Sequence, residues 1–324
     1  MAAESARDRL RELSDFATPW AVSVAATLRL ADLIEDGATS VDALAAAAGA
    51  EPDALRRLLD YLVALGVFAR AADGYANNEV SLLLRDELGW RPWLDLDSVP
   101  AVWAESWSGL LTAVRTGSPG RDESWFYEEL ERTGHGESFD AQMAVEAASN
   151  GPSLAEQYDW SGVRHLVDVG GGTGVLAATI LDAHPQLQAT VFDQPQVVAH
   201  AVEHERLDFV AGDIFADALP RGDAYVLSRV LHGWPDDRAG EVLARCVESG
   251  GDGVRILVVD GLLSDPPAAR EASFDLFMLT LVGGRQRTLD DFLRLGASCG
   301  LVLGRTFPLP SGSSLVELTH SGDR

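Results

Sequence analysis

The sequence predicts a mixed α/β protein, with a doubly wound, mainly parallel sheet in its second half and a helical, winged-helix region before it. Three observations predict this. After Ser161 short apolar runs alternate with helical segments, the first run leads straight into a glycine-rich turn, and the first half repeats its apolar residues at helical spacing. With 324 residues, 47% of them hydrophobic, the chain can fill such a core.

Over 5–33, residues such as Leu10, Leu13, Trp20, Val24 and Leu28 predict one or two helices whose wide apolar face needs a partner. Thr39 and Ser40 cap a short helix from Val41, and Glu51-Pro52-Asp53 opens a second that runs to Leu65. Residues 66–70 and 73–75 read as a hairpin, which completes the winged-helix pattern. Such a module either binds DNA or packs against a partner or over an active site. Its second helix sets Glu51, Asp53 and Asp60 against Arg56 and Arg57, and the whole chain carries a net charge of -25 with every basic residue an arginine. That balance repels phosphate backbones and anionic lipid, so neither nucleic acid nor membrane is an expected partner. The chain has no apolar run of spanning length, and Glu4, Arg7 and Asp8 interrupt its start where a leader would be apolar, so a cytoplasmic protein is expected. Cys246 and Cys299 have no Cys or His neighbour at ligand spacing; they read as core thiols, and no metal site is expected.

A tryptophan-rich stretch over 90–107 precedes helices near Leu111, over 125–130 and over 139–158. Strands are predicted over 165–169, 189–192, 207–210, 224–227 and 255–259, with two more over 301–305 and 313–318 and Pro308 and Pro310 between them.

The strongest local signal is Asp168-Val169-Gly170-Gly171-Gly172-Thr173-Gly174, a strand end running through glycines into a helix over 175–181. Glycines there let a ligand approach the backbone closely. About twenty residues on, Asp193 ends the second strand, where a carboxylate can accept from both hydroxyls of a ribose. A cofactor carrying a nucleoside fits. Gly172, Gly174 and Ala177 also satisfy a loose dinucleotide fingerprint, yet Asp168 would repel a pyrophosphate and suits an ammonium group. Asp213, followed by Ile214 and Phe215 at the third strand end, can bond an adenine amino group while an apolar neighbour packs on its ring.

Taken in order, VDVGGGTG, VFDQP, AGDIF, LSRVLHGWPDD and GGRQRT resemble the class I S-adenosylmethionine-dependent O-methyltransferases of the plant caffeic-acid and bacterial polyketide-tailoring type, across nearly the whole chain. The resemblance implies a Rossmann-like seven-stranded sheet, a dimerisation region over 1–100 that roofs the partner's active site, and a catalytic domain over 101–324. It implies a homodimer, S-adenosylmethionine as cofactor and a small hydroxylated aromatic substrate. Carried over by motif, Gly170, Gly171 and Gly172 would hold the methionyl part with Asp168 nearby, Asp193 the ribose, Asp213 and Ile214 the adenine, and Ser228 the cofactor's edge.

Methyl transfer is an in-line displacement, so the protein must mainly align the acceptor oxygen and remove its proton. A phenol titrates near ~10 and histidine near ~6.5, so a histidine that takes the proton during attack avoids costly prior ionisation. His232, in the loop after the fourth strand, matches the family's catalytic histidine. Asp260 and Gln286 stand where relatives carry two glutamates, and Gly233 stands where an aspartate is usual. Glutamine can orient an imidazole but lends it no charge. Relatives altered at these positions hydroxylate or decarboxylate instead, so repurposed tailoring chemistry is one rival reading; a ligand-sensing winged-helix regulator and a nicotinamide-dependent reductase are others. The acceptor pocket is expected between helical roof and sheet, from Phe139, Met143, Asp275 and Met278 above all, with Trp103, Trp107, Trp234, Phe274 and Leu279 as further candidates.

Overall fold

The computed structural model describes residues 5–86, 89–122 and 124–320; Glu4, weighed above against a leader, lies outside them. The chain folds as two compact units that meet in sequence after Ala104.

The first unit opens with α1 (Ala6–Leu13), α2 (Ala17–Thr27) and α3 (Leu30–Glu35), three helices where one or two were expected. Two local events break the run. Asp15 accepts from the amides of Ala17 and Thr18 at 3.0 and 3.1 Å, which starts α2 afresh, and Arg29 turns left-handed (φ 54°) before α3. The hydroxyl of Ser40 accepts from Ala43 to cap α4 (Val41–Ala48), and Glu51 caps α5 (Pro52–Ala64), with Pro52 in the first turn, where a missing N–H costs nothing. The hairpin pairs β1 (Ala69–Ala71) with β2 (Gly74–Ala76), displaced a few residues from the predicted runs. Gly74 is required there, because a Cβ would run into the Thr39 carbonyl. Leu55, Leu59 and Leu62 of α5 pack with Leu30, Leu44, Phe68 and Tyr75, each leucine contributing roughly 1.5–3 kcal/mol of burial.

Two surfaces of this unit differ in kind. On α5, Arg56 lies 2.5 Å from Asp53 and 3.3 Å from Asp60, and Arg70 of the hairpin also pairs with Asp60, so acidic neighbours already neutralise these cations. By contrast α1 buries none of its residues, and Phe16 and Trp20 just beyond it are 85% and 53% exposed. Apolar side chains left in water on that scale mark an associating surface.

Helix α6 (Pro100–Ser106) spans the junction. The second unit then carries α7 (Leu110–Thr116), α8 (Trp125–Thr133) and α9 (Gly136–Gln157) ahead of its sheet. There follow β3 (His165–Val169), α10 (Val175–Ala183), β4 (Gln188–Asp193), α11 (Pro195–Val198), β5 (Leu207–Ala211) and β6 (Ala224–Ser228). The chain closes with α12 (Asp236–Gly250), β7 (Arg255–Asp260), α13 (Ala269–Leu281), α14 (Leu289–Ser298), β8 (Leu301–Pro308) and β9 (Ser314–His320). Among the described residues they form one seven-stranded sheet in the order β5-β4-β3-β6-β7-β9-β8, parallel through β7, with β9 antiparallel between β7 and β8.

Alternate residues of each central strand enter opposite layers, Leu166, Val226 and Leu257 on one face and Val167, Leu227 and Val258 on the other. Both faces are therefore covered, which explains why the strands read as continuous apolar runs. Pro308, expected between the last strands, instead ends β8 opposite Ser314; β8 is an edge strand, where a residue without an N–H is tolerated. Cys246 is a buried thiol of α12, pushed up by burial, whereas Cys299 is only half-buried at the end of α14, unlike the core thiol expected.

Candidate active site

The sheet order reverses between β3 and β6, opening a crevice at the carboxyl ends of the parallel strands, the place where open α/β sheets bind ligands. Past β3, Gly170 (φ 66°) and Gly172 (φ 61°) take left-handed conformations that a side chain would strain. Gly171 lies against the Asp168 carboxylate so closely that a Cβ would overlap it. The loop is held by Asp193, whose Oδ2 accepts the Gly172 amide at 2.8 Å and whose Oδ1 accepts the Gln194 amide at 2.7 Å. Asp168 is different in kind: fully buried, neither of its oxygens has a hydrogen-bond partner among the described residues. Burial, and then the neighbouring Asp193 carboxylate, push its carboxyl up to about 7. Burial also raises Asp193, against the lowering effect of its two amide bonds. A crevice holding two such carboxyls, one of them unbonded, attracts a cation and repels a pyrophosphate, which weighs against the dinucleotide fingerprint.

Asp213 stands at an exposed turn, where its Oδ1 accepts the Phe215 amide at 2.8 Å while its own amide donates to Asp217. Ile214 and Phe215 both pack on the core, and the Phe215 ring is taken up by Trp234 (4.7 Å, edge-on) and by the Arg238 guanidinium (3.5 Å), which leaves Ile214 the better apolar platform. Ser228 ends β6, one strand over from Asp168. Tyr127 of α8 escaped the sequence reading. Its phenol is pushed up to about 12, by burial first and then by Asp193 and Asp140, and its ring packs edge-on against Phe126 at 5.2 Å.

The histidine loop lies beside these strand ends. His232 is buried, and its Nδ1 stands 2.7 Å from Asp260 Oδ1, which also accepts the Gly261 amide at 2.8 Å. Burial raises the Asp260 carboxyl, but the charge of His232, its hydrogen bond and Arg229 bring it below the ordinary carboxylate range. Gln286 does not join this pair. Its amide N–H donates to Asp275 Oδ1 at 2.7 Å and its side chain lies against Gly261, with no hydrogen bond to the imidazole among the described residues.

A second arginine, Arg287, holds the loop in place. Its side chain is fully buried; Nη1 donates to the Leu231 carbonyl at 2.6 Å, Nη2 to the Trp234 carbonyl at 2.8 Å, and Nε and Nη2 to Asp236 at 3.0 and 2.9 Å. The Arg285 amide adds a bond to the His232 carbonyl at 2.9 Å. One planar fork thus clasps both sides of His232, and nothing in the run GGRQRT singled out that role beforehand. Arg287→Lys keeps the charge but loses the fork; with one charge-assisted bond gone, kcat is expected to fall about tenfold or more. Cofactor Kd should stay within about twofold, since the glycine loop is untouched; steady-state kinetics and calorimetry on one preparation check both.

The acceptor candidates separate. The Phe274 ring lies edge-on to His232 at 5.5 Å, and Phe277, next on the same helix, stacks on Trp107 at 5.9 Å. Phe139 packs edge-on against Phe126 at 5.2 Å, while Met143, on the same helix, and Leu279 are half-buried. Met278 is buried, and its carbonyl accepts the Val282 and Gly284 amides. Asp275 spends one oxygen on Gln286. Trp234 belongs to the Phe215 cluster, and Trp103 lies in the first unit, stacked on Trp93 at 5.7 Å.

A parallel sheet closed by an antiparallel β9, with a cation-seeking glycine loop beside a histidine–carboxylate pair, defines a methyltransferase class of enzyme. Residues 10–86 match the O-methyltransferase dimerisation domain and residues 121–301 the O-methyltransferase domain. The chain is 40% identical over 335 residues to the 2,7-dihydroxy-5-methyl-1-naphthoate 7-O-methyltransferase of Streptomyces carzinostaticus, covering 98% of this chain and 99% of that protein. It is 34% identical to the aclacinomycin 10-hydroxylase RdmB of Streptomyces purpurascens, covering 96% and 89%. A crystal structure of NcsB1, an O-methyltransferase from neocarzinostatin biosynthesis in complex with S-adenosylmethionine and 2-hydroxy-5-methyl naphthoic acid, is similar with a TM-score of 0.88 at 37% identity, over 98% of this chain and 100% of that one. The chain belongs to the family of S-adenosylmethionine-dependent O-methyltransferases. The unbonded buried carboxylate of Asp168 and the open space beside Gly172 fit that cationic cofactor.

Proposed function

We propose that this enzyme methylates a ring hydroxyl of a planar, polyketide-like aromatic metabolite, with His232 as general base. The observation that carries the reading is the 2.7 Å bond between His232 Nδ1 and Asp260, which leaves Nε2 as the ring's proton acceptor. As the acceptor oxygen attacks, its proton passes to Nε2, and Asp260 stabilises the imidazolium that results. When bound, S-adenosylmethionine supplies a methyl carbon already activated by its sulfonium charge. Asp168 would hold its ammonium group, Gly170, Gly171 and Gly172 the methionyl part, Asp193 the ribose, Asp213 and Ile214 the adenine, with Ser228 at the edge. Phe139, Met143 and Asp275 would border the acceptor, backed by Met278, and Gln286 would set the polarity behind Asp260.

Similarity to proteins named for naphthoate methylation supports the substrate class. The dimerisation-domain match and the exposed apolar residues at α1 support a homodimer built through residues 1–100, with 101–324 as the catalytic part. Among the described residues no helix is long and apolar enough to cross a membrane; with the charge of -25, this supports a cytoplasmic enzyme without nucleic-acid partners. A second reading, hydroxylation, is favoured by the uncharged Gln286 and by similarity to a protein named as a hydroxylase. Incubating the protein and cofactor with hydroxynaphthoates and measuring product mass separates the two. A gain of one methylene supports methylation; a gain of one oxygen, or no product from any phenol, overturns it.

A further inference from the structure

We propose that Arg229 is a specificity-determining residue that binds a ring carboxylate of the acceptor, so that the substrates of this enzyme are hydroxylated aromatic acids. This rests on the reading of the crevice beside His232 as the acceptor site.

The backbone supplies the first observation. Arg229 directly follows the last residue of β6 and has a φ of 59°, in a region that costs an L-residue with a side chain free energy and that glycine would occupy without strain. Its amide is tied to the Val259 carbonyl at 2.9 Å, so the conformation is imposed by the neighbouring strand. Strain of this kind persists where the surroundings over-determine it, and it gathers at functional sites.

The side chain supplies the second. From that strand tip the guanidinium reaches a point 5.7 Å from the centre of the Phe274 ring, and the His232 imidazole lies edge-on to the same ring at 5.5 Å. Cation, aromatic ring and proposed base therefore share one stretch of wall. Nη1 donates to Glu146 Oε2 of α9 at 2.5 Å, and the two side chains are 20% and 21% exposed. Nε is buried and has no hydrogen-bond partner among the described residues. An arginine held by one corner, with an N–H on its other edge unsatisfied, is prepared for a two-oxygen acceptor, because a carboxylate matches the geometry of that edge.

The charges around it agree. Asp260, Asp168, Asp193 and Glu146 make the crevice acidic, and an anionic acceptor would be repelled unless a cation met it. Glu146 holds one corner of the guanidinium and partly neutralises the charge on offer. Removing that charge while keeping the side chain's shape should therefore strengthen binding of an acid.

The test uses the full chain and a matched pair of acceptors, a hydroxynaphthoic acid and the naphthol lacking its carboxylate. Arg229→Gly removes the guanidinium and relieves the backbone, so folding is preserved. Loss of a charge-assisted bidentate contact is expected to lower kcat/KM about 10- to 100-fold more for the acid than for the naphthol, mainly through KM. Binding of the acid to protein loaded with S-adenosylhomocysteine, read by calorimetry, should weaken in parallel and should tighten in Glu146→Gln. Equal losses on both acceptors, or unchanged affinity for the acid in Arg229→Gly, would overturn the proposal. If the wild type binds the acid through Arg229 yet methylates neither compound, methyl transfer fails as the reaction and the carboxylate site stands.

Discussion

Replacing His232 by alanine is expected to lower kcat by about 10²- to 10⁴-fold, the range a positioned general base contributes, and to leave cofactor affinity nearly unchanged. The asymmetry follows from the geometry. His232 bonds Asp260 and packs on Phe274, whereas the cofactor candidates lie on the glycine loop and on the ends of β4 to β6. Because the imidazole must be neutral to accept a proton, the wild-type rate should fall as pH is lowered, and His232→Ala should lose that limb along with the rate. Asp260→Asn is the sharper companion. An amide in place of the carboxylate leaves the shape but permits the wrong tautomer at Nδ1 and removes the charge facing the imidazolium, so a loss approaching that of His232→Ala is expected. Pre-steady-state methyl transfer at several pH values checks both; an unchanged rate in His232→Ala would remove the residue from the mechanism.

Asp168→Asn is expected to weaken S-adenosylmethionine binding about 10- to 100-fold, the loss of a charge-assisted contact to a cation, while making the free protein more stable near neutral pH. The second effect has a definite sign. The carboxyl titrates at 3.8 without the fold and near 7 within it, so between those values the folded chain holds more protons than the unfolded one. Stability contributed at low pH is therefore lost progressively as pH rises from about 4 to about 7, and above that the folded chain carries a buried, unbonded charge. Asparagine removes this slope. Thermal unfolding without cofactor should show Asp168→Asn melting at least about 2 °C above the wild type at pH 8 and losing that advantage near pH 4. A wild type whose stability rises from pH 5 to pH 8 in parallel with the variant would contradict this account.

Much of the architecture was written in periodicity. The central strands are buried on both faces, so each announced itself as a short apolar run, and the parallel runs fell within a residue or so of the elements formed. The ends of elements were harder because competing local bonds decide them: Asp15 restarting α2 and Arg29 turning left-handed before α3 are choices of single side chains inside a uniformly apolar pattern. At the candidate site, Asp168, Asp193 and His232 stood out in the sequence because glycines and strand ends bracket them. Arg229 and Arg287 could not, since each bonds to side chains between 51 and 83 positions away, and neither could Tyr127, whose raised phenol depends on burial that only the folded chain creates. The direction of the side chain at 286 was likewise not legible in the sequence. Its motif pointed at the imidazole, and the folded loop turns its side chain toward Gly261.

That last loop also bears on how one scaffold comes to host different reactions. Arg287 and the backbone amides of Arg285 and Gln286 anchor it, while the side chain at 286 carries none of those bonds. Exchanging glutamate for glutamine there would alter the polarity behind the proposed proton acceptor without loosening the lattice of bonds that keeps His232 in place. A lineage could thus explore new chemistry at this one position while its fold and the placement of its loop histidine are inherited intact.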